Sequence, residues 1–449
     1  MSTTPRTPPP SSSGSLPGNP PGESDLAADL AAHQLRALQT LVSEVLGSND
    51  FYGPRLRAAG IDGPPRDVGE VTGRLGTTWK DELVADQRSH PPYGTNLTYP
   101  LERYVRLHQT SGTSGSPLRW LDTADSWRWM LSTWQRVFGA CGIGPGDRVF
   151  FPFSFGPFLG FWTAFEAAWQ MGVMALPGGG MSSKARLRVM LDNRATAVVC
   201  TPTYALRLAE EAASEGIDLS GSGVGRVIVA GEPGGSLPAV VEAISEAWGG
   251  ARVLDHHGMT EVGPVSFPNP RVPHLLHVNE RAYLPEVLDL ETGGAVGPGG
   301  TGELVLTTLG RLGSPLIRYR TGDLVRVSER SAEELGYADL ALEGGILART
   351  DDMVVVRGVN LYPSAVDRVI RGFRGVAEYR VELLTDRSMA EVSIEVEPSV
   401  DVVDPAGLAA RVSEALRTAF QLRVPVEPVA RGTLPRFELK AKRWVRRGR

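Results

Sequence analysis

Gln109-Thr110-Ser111-Gly112-Thr113-Ser114-Gly115-Ser116-Pro117 reads as a phosphate cradle, and the fold follows from what stands on either side of it. Gly112 and Gly115 let the backbone turn tightly and gather several N–H groups at one point. Thr110, Ser111, Thr113, Ser114 and Ser116 add short hydroxyl donors that can follow oxyanions. Upstream, Leu101-Glu102-Arg103-Tyr104-Val105-Arg106-Leu107 reads as a strand; downstream, tryptophans and apolar residues recur at helical spacing over residues 123–138. The cradle is therefore expected to join two ordered elements. It is not the G-x-x-x-x-G-K-[ST] phosphate loop, because Ser116 stands where that loop needs lysine. Ser/Thr/Gly runs also make solvated turns, so other stretches must decide.

Further along, a βαβ rhythm sets in. Asp147-Arg148-Val149-Phe150-Phe151-Pro152-Phe153 is strand-like, residues 161–171 are helical, and Gly172-Val173-Met174-Ala175-Leu176-Pro177 is strand-like again. Helices over residues 184–193, 203–213 and 237–248 then alternate with strands at Ala197-Val198-Val199-Cys200, Arg226-Val227-Ile228-Val229-Ala230 and Ala251-Arg252-Val253-Leu254-Asp255. Short apolar runs between helices predict a buried, largely parallel sheet. Ligands of such sheets sit at the carboxyl ends of the strands. Phe153-Ser154-Phe155-Gly156, Pro177-Gly178-Gly179-Gly180, Gly231-Glu232-Pro233-Gly234 and His256-His257-Gly258 should therefore converge. From residue 286 the strands are separated by turns, as in an antiparallel sheet or small barrel. Beyond residue 353 strands and helices mix again, with a boundary expected near residues 349–352. On the amino-terminal side, Leu26, Leu30, Leu35, Leu38, Leu41, Val45 and Leu46 recur as on an amphipathic helix ending near Gly47. The Pro/Ser/Gly-rich residues 1–23 read as a disordered tail.

A chain of 449 residues exceeds the roughly 250–300 at which single cores stop growing, so more than one domain is expected. Acidic residues outnumber basic ones, 51 to 46, and no like-charge block is long enough for a nucleic-acid arm, which points to a small-molecule partner. The only cysteines, Cys141 and Cys200, are too few for a disulfide framework and fit a reducing cytoplasm. No apolar run approaches the roughly 20 residues that span a bilayer, so no membrane association is expected.

Five stretches in order carry a family resemblance. They are Thr110 to Pro117; His257-Gly258-Met259-Thr260-Glu261; Tyr319-Arg320-Thr321-Gly322-Asp323; Arg349-Thr350-Asp351-Asp352 with Arg357-Gly358-Val359-Asn360-Leu361-Tyr362-Pro363-Ser364; and Lys440-Ala441-Lys442-Arg443. Together they resemble the adenylate-forming superfamily of acyl-coenzyme A synthetases, luciferases and peptide-synthetase adenylation domains. Within it, the last two stretches and Thr77-Thr78-Trp79-Lys80-Asp81-Glu82 look most like the phenylacetate–coenzyme A ligase branch. The resemblance implies an α/β fold. A large domain over residues 24–348 would have mostly parallel sheets flanked by helices and a small β-barrel-like part; a small α+β domain over 349–449 would rotate between two half-reactions. A carboxylate and ATP would give acyl-adenylate and pyrophosphate, and an acceptor would then displace AMP. The aromatics after the strand ending near Phe153 point to an aryl or arylacetic acid. The acceptor expected is coenzyme A, with an amine, a hydroxyl or a carrier-protein thiol as alternatives. A non-catalytic nucleotide-binding scaffold is the contrasting reading, and a homodimer is left open.

The resemblance also implies roles. Thr110, Ser111, Gly112, Thr113, Ser114 and Gly115 would cradle phosphates, and Thr260 would donate to the α-phosphate. Glu261 would hold Mg²⁺, a hard cation suited to carboxylate and phosphate oxygens. Gly231, Glu232 and Pro233, with His256, His257 and Gly258, would lie around the adenine; Asp323 would accept both ribose hydroxyls, and Arg349 would contact ribose or phosphate. Lys440 would reach the α-phosphate and the carboxylate, and Asp351 would be the hinge. Phe153, Phe155, Gly178 and Ala230 would line the acyl pocket. Two departures stand out: relatives carry an aromatic residue, often tyrosine, at His257, and many carry lysine at Ser116. Zinc, bound by some relatives through cysteines and histidines, is not expected, because His274 and His277 remain but residues 266–273 contain no cysteine.

Overall fold

The computed structural model describes residues 23–110, 117–350, 352–356, 359–384, 391–437 and 441–447, with side chains between residues 27 and 446 of those spans. Ser111, Gly112, Thr113, Ser114 and Gly115 of the cradle, the hinge candidate Asp351 and the catalytic candidate Lys440 lie outside the described residues. The first helix, Glu23–Leu46, begins at the last residue of the expected tail.

Five strands form one parallel sheet in the spatial order Met174–Pro177, Arg148–Phe151, Ala197–Cys200, Arg226–Ala230, Arg252–His256. Its strands are apolar on both faces. Val149, Phe151, Val199, Ile228 and Leu254 pack on one side with Trp134, Phe138 and Phe161. Phe150, Val198, Val227 and Val229 pack on the other with Leu187, Leu208 and Ile244. Alternate residues thus serve two cores, as the period of two of a strand dictates, and each fully buried Val, Leu, Ile or Phe contributes about 1.5–3 kcal/mol. The intervening helices start where their caps are encoded. Ser182 accepts from the Ala185 N–H before Ser183–Asp192, and Thr201 accepts from the Tyr204 N–H before Pro202–Ser214, whose first residue is proline.

The stretch of residues 258–278, for which no secondary structure was expected, folds into the short strands Gly258–Met259, Gly263–Pro264, Ser266–Pro268 and Leu275–Val278. Residues 266–349 contain two antiparallel sheets. One runs Tyr283–Leu288, Thr301–Thr308, Tyr319–Arg326, Ala348–Arg349; the other runs Ser266–Pro268, Leu275–Val278, Ala341–Glu343. Among the described residues both sheets are open, and neither closes into the ring of strands that a barrel would need.

The carboxyl-terminal region has a core of its own around Val381, Ile394, Val396, Val412 and Leu416. There the helices Pro363–Arg371 and Pro405–Phe420 accompany a sheet ordered Val426–Pro428, Glu391–Pro398, Val376–Leu384, Trp444–Arg447. Arg349 still belongs to the preceding sheet, and the Thr350 N–H donates to the Gly322 carbonyl at 2.7 Å, so the chain leaves that sheet after Thr350.

Candidate active site

The neck of the cradle is built by backbone pairing. The strands Tyr104–Gln109 and Arg119–Thr123 run antiparallel on either side of it, and Thr110 closes it, its N–H on the Leu118 carbonyl at 2.9 Å and its hydroxyl accepting the Leu118 N–H at 3.0 Å. The second of these strands, preceding the helix Ala124–Ala140, was not expected from the sequence.

Asp323 stands opposite Arg349 in the pairing of Tyr319–Arg326 with Ala348–Arg349. Arg349 donates to Asp323 Oδ1 at 3.0 Å and to the Thr321 carbonyl at 3.2 Å. From the other side His257, just past the strand Arg252–His256, brings Nε2 to 2.9 Å from Asp323 Oδ2. On the far side of the same ring, His257 Nδ1 is buried without a hydrogen-bond partner among the described residues. Burial pushes the Asp323 carboxyl up, but the His257 ring and the Arg349 guanidinium outweigh it and hold it below the usual carboxylate range. The group is an anionic acceptor with an oxygen open to donors.

Lys80 was not among the residues singled out for chemistry. Its Nζ lies 3.2 Å from Glu261 Oε1, and the Glu261 side chain is 8% exposed. The Thr78 N–H donates to the Arg318 carbonyl at 2.8 Å and the Arg320 N–H to the Thr78 carbonyl at 3.0 Å, which straps this segment along the strand Tyr319–Arg326. A cation therefore stands beside Glu261 although Ser116 supplies none in the cradle.

Arg311 was missed as well. It is fully buried and grips Asp122 with two hydrogen bonds of 2.7 Å, while its remaining nitrogen donates to the carbonyls of Thr260 at 2.9 Å and Glu261 at 2.6 Å. Such a bidentate pair fixes direction as well as charge. Glu261 and Thr260 are thus held from behind. Gly258 admits no side chain, since a Cβ there would come 2.9 Å from the Gly263 carbonyl oxygen and 3.1 Å from Pro264 Cα.

His256 and His257 point to different tasks. The His256 ring lies 4.2 Å from Trp134, its Nδ1 is 2.7 Å from the Ser266 carbonyl, and burial pushes its pKa down to about 3, so it is neutral and occupied by the core. The preceding Asp255 is pushed up to about 6 by desolvation, although the Ser236 hydroxyl donates to it at 2.5 Å.

Gly231, Glu232 and Pro233 follow the strand Arg226–Ala230. Glu232 was expected beside an adenine, yet its carboxylate accepts two main-chain donors: the Thr203 N–H and the Ala441 N–H, each at 2.8 Å. The second comes from the residue following Lys440.

Past the end of the strand Arg148–Phe151 the aromatics form one cluster. Phe153 lies 5.1 Å from Phe155, 5.6 Å from Phe158 and 5.2 Å from Phe161, and Phe155 lies 4.5 Å from Trp162. Ala230 packs in the same core. Gly178 permits the close approach, because a Cβ there would come 2.9 Å from Pro152 Cα, and its carbonyl is held by buried Arg186 at 2.8 Å. Both nitrogens of His277 are engaged, with Asn269 at 2.9 Å and the Asp339 carbonyl at 3.0 Å. Among the described residues no three His, Cys, Asp or Glu side chains group as metal ligands.

The AMP-binding enzyme family model matches residues 98–310, and the model of the AMP-binding enzyme C-terminal domain matches residues 358–447. The chain is 29% identical to the phenylacetate–coenzyme A ligase of Thermus thermophilus over 405 residues, 90% of this chain and 89% of that protein. Among solved structures, 2-hydroxyisobutyryl-CoA ligase in its postadenylation state, with 2-HIB-AMP, superposes with a TM-score of 0.83 at 27% identity, covering 94% of this chain and 90% of that one. The same enzyme in its thioesterification state, with 2-HIB-AMP and CoA, superposes at 0.66, with 28% identity and the same coverage. Whole-chain likeness is thus greater to the postadenylation arrangement. The motifs, the sheet that gathers them and these likenesses agree: the chain belongs to the AMP-binding, adenylate-forming enzymes and is an AMP-forming acid ligase of the phenylacetate–coenzyme A ligase-like kind.

Proposed function

We propose that the protein activates an aryl or arylacetic acid as its acyl-adenylate and passes the acyl group to coenzyme A. The observation that carries this reading is the convergence of Asp323, Arg349 and His257 at the carboxyl end of the parallel sheet, near which the aromatic cluster of Phe153, Phe155 and Trp162 also lies. Asp323 would take the ribose hydroxyls, Arg349 would neutralise ribose-side or phosphate charge, and Thr260 would donate to the α-phosphate. Glu261 fits Mg²⁺, because one protein carboxylate with substrate phosphate oxygens and waters is the hard donor set that ion prefers; when bound, the ion would neutralise phosphate charge. Lys80 supplies a further cation beside that carboxylate. Joining two anions needs such positive charge, preorganised where charge develops.

In the first step a carboxylate oxygen attacks the α-phosphorus and pyrophosphate leaves. In the second the thiol sulfur attacks the acyl carbon and AMP leaves. Residues 24–348 would form the domain that binds nucleotide and acid, and residues 349–449 the domain that turns between steps about Asp351, carrying Lys440 to the α-phosphate. A flat apolar acid suits aromatic walls through stacking and edge contacts.

The test is ATP–pyrophosphate exchange with phenylacetate, benzoate and 2-hydroxyisobutyrate, followed by AMP release on adding coenzyme A. Exchange with the aromatic acids and coenzyme A-dependent turnover are expected. Exchange confined to 2-hydroxyisobutyrate would overturn the aromatic reading, and exchange without a response to coenzyme A would move the acceptor to an amine, a hydroxyl or a carrier thiol.

A further inference from the structure

We infer that Glu232 is a positioning residue that latches the carboxyl-terminal region in the arrangement described above, which is nearer to the postadenylation than to the thioesterification state and which we assign to the adenylation half of the cycle. The inference rests on the two-step reading above, in which that region changes position between steps. Glu232 has two carboxylate oxygens with different partners. Oε1 accepts from the N–H of Thr203, the second residue of the helix Pro202–Ser214. That amide has no partner within its own helix, and the positive end of a helix 13 residues long favours an anion there. This half of the carboxylate is anchored within the large amino-terminal region. Oε2 accepts from the N–H of Ala441, a residue of the other region. Alongside, Arg443 Nη2 donates to the Thr203 hydroxyl and to Glu378 Oε2, each at 3.2 Å, while its Nε donates to Glu378 Oε1 at 2.7 Å. Glu378 lies on the strand Val376–Leu384 of the carboxyl-terminal sheet, so the Thr203 corner is gripped from both sides of the junction.

This division of labour separates the latch from nucleotide binding. With Ala441 docked, both oxygens of Glu232 are satisfied by main-chain donors, and the docked residue directly follows Lys440. If the region turns away, Oε1 keeps its helix amide and Oε2 is released. The carboxylate thus favours one arrangement over the other without changing its own position. A ligand or side chain shifts a two-state equilibrium only by its differential interaction with the two states, and the Ala441 contact is such a difference.

The test uses the full chain with Glu232→Ala and Glu232→Gln. The first readout is hydrogen exchange at the Ala441 amide, which needs no substrate; the second compares phenylacetate-dependent ATP–pyrophosphate exchange with single-turnover thioester formation from pre-made phenylacetyl-adenylate and coenzyme A. In Glu232→Ala the Ala441 amide should exchange about tenfold faster and the adenylation rate should fall about tenfold relative to the thioester step, the scale of one charge-assisted hydrogen bond. Glu232→Gln, which keeps one acceptor oxygen, should fall between. Unchanged protection at Ala441 would overturn the latch, as would an equal loss in both steps with a raised KM for ATP, which would return Glu232 to the adenine site. A wild-type chain that exchanges pyrophosphate with none of the acids would defeat the proposed function, while the amide exchange would still decide the latch.

Discussion

At the scale of single residues, Asp323 shows how a site carboxylate is kept charged inside a protein. Its side chain is 3% exposed, a position where a carboxyl without partners would protonate, yet Arg349 and His257 hold its pKa below the ordinary value. The sign follows from linkage: a depressed pKa in the folded state adds stability at pH values above the unfolded carboxylate value of about 3.9, and that contribution is lost as the pH falls through the lower folded value. Asp323→Asn should therefore weaken the dependence of the unfolding midpoint on pH below about 4 and raise the KM for ATP by about tenfold or more, because the amide offers the ribose one acceptor oxygen in place of two. Denaturant titrations across pH and initial rates against ATP would check both; an unchanged KM would remove Asp323 from the ribose site. The motif Tyr319-Arg320-Thr321-Gly322-Asp323 made this aspartate legible. The His257 contact was not, because a histidine in place of an aromatic reads as a smaller stacking surface, and only the fold turns its ring towards the carboxylate.

Elements were legible where their signals are local. The strand Arg226–Ala230 has the bounds that its apolar run and flanking turn residues predict. The strands between Gly258 and Val278 were hidden because they are two to four residues long, too short for any period to show. What holds that hidden stretch is also non-local: Arg311 and Asp122 are separated by 189 positions, and their pair carries the carbonyls of Thr260 and Glu261. Breaking a buried pair leaves one charge uncompensated, at a cost of about 3–5 kcal/mol, whereas replacing both partners by apolar groups is often neutral. Arg311→Met alone should lower the urea midpoint strongly, and Arg311→Met with Asp122→Leu should recover much of it. The double variant should still exchange pyrophosphate at least about tenfold more slowly, since the two carbonyls lose their charged donor. Full recovery of both stability and rate would show that the pair serves packing only.

Across the whole molecule, ion pairs are among the contacts that join the two regions. Arg374 reaches Glu242 at 2.8 Å and Glu246 at 3.4 Å on the helix Pro238–Ala247, and Arg436 lies 3.6 Å from Glu210. Exposed pairs such as those of Arg374 are weak and screened by salt, which suits the proposed turning of one region on the other. Arg374→Glu should shift the balance of adenylation against thioester formation by only about twofold at low ionic strength, and the shift should vanish near 1 M salt, where the screening length is roughly 3 Å. Parallel measurements of the two steps across salt concentration would check it; a shift that persists at high salt would mean the residue acts through packing. By itself the sequence determined the alternation of strands and helices, the parallel sheet and the order of the chemical motifs, because hydrophobic period, caps and turn residues act over a few neighbouring positions. Only the tertiary structure decided that Lys80 would stand against Glu261, that Arg311 would brace the same loop, and that Glu232 would meet Ala441 across 209 positions. Those pairings depend on how whole elements stack, and a lone charge in a sequence looks the same whether it ends in water or against a partner from the far end of the chain.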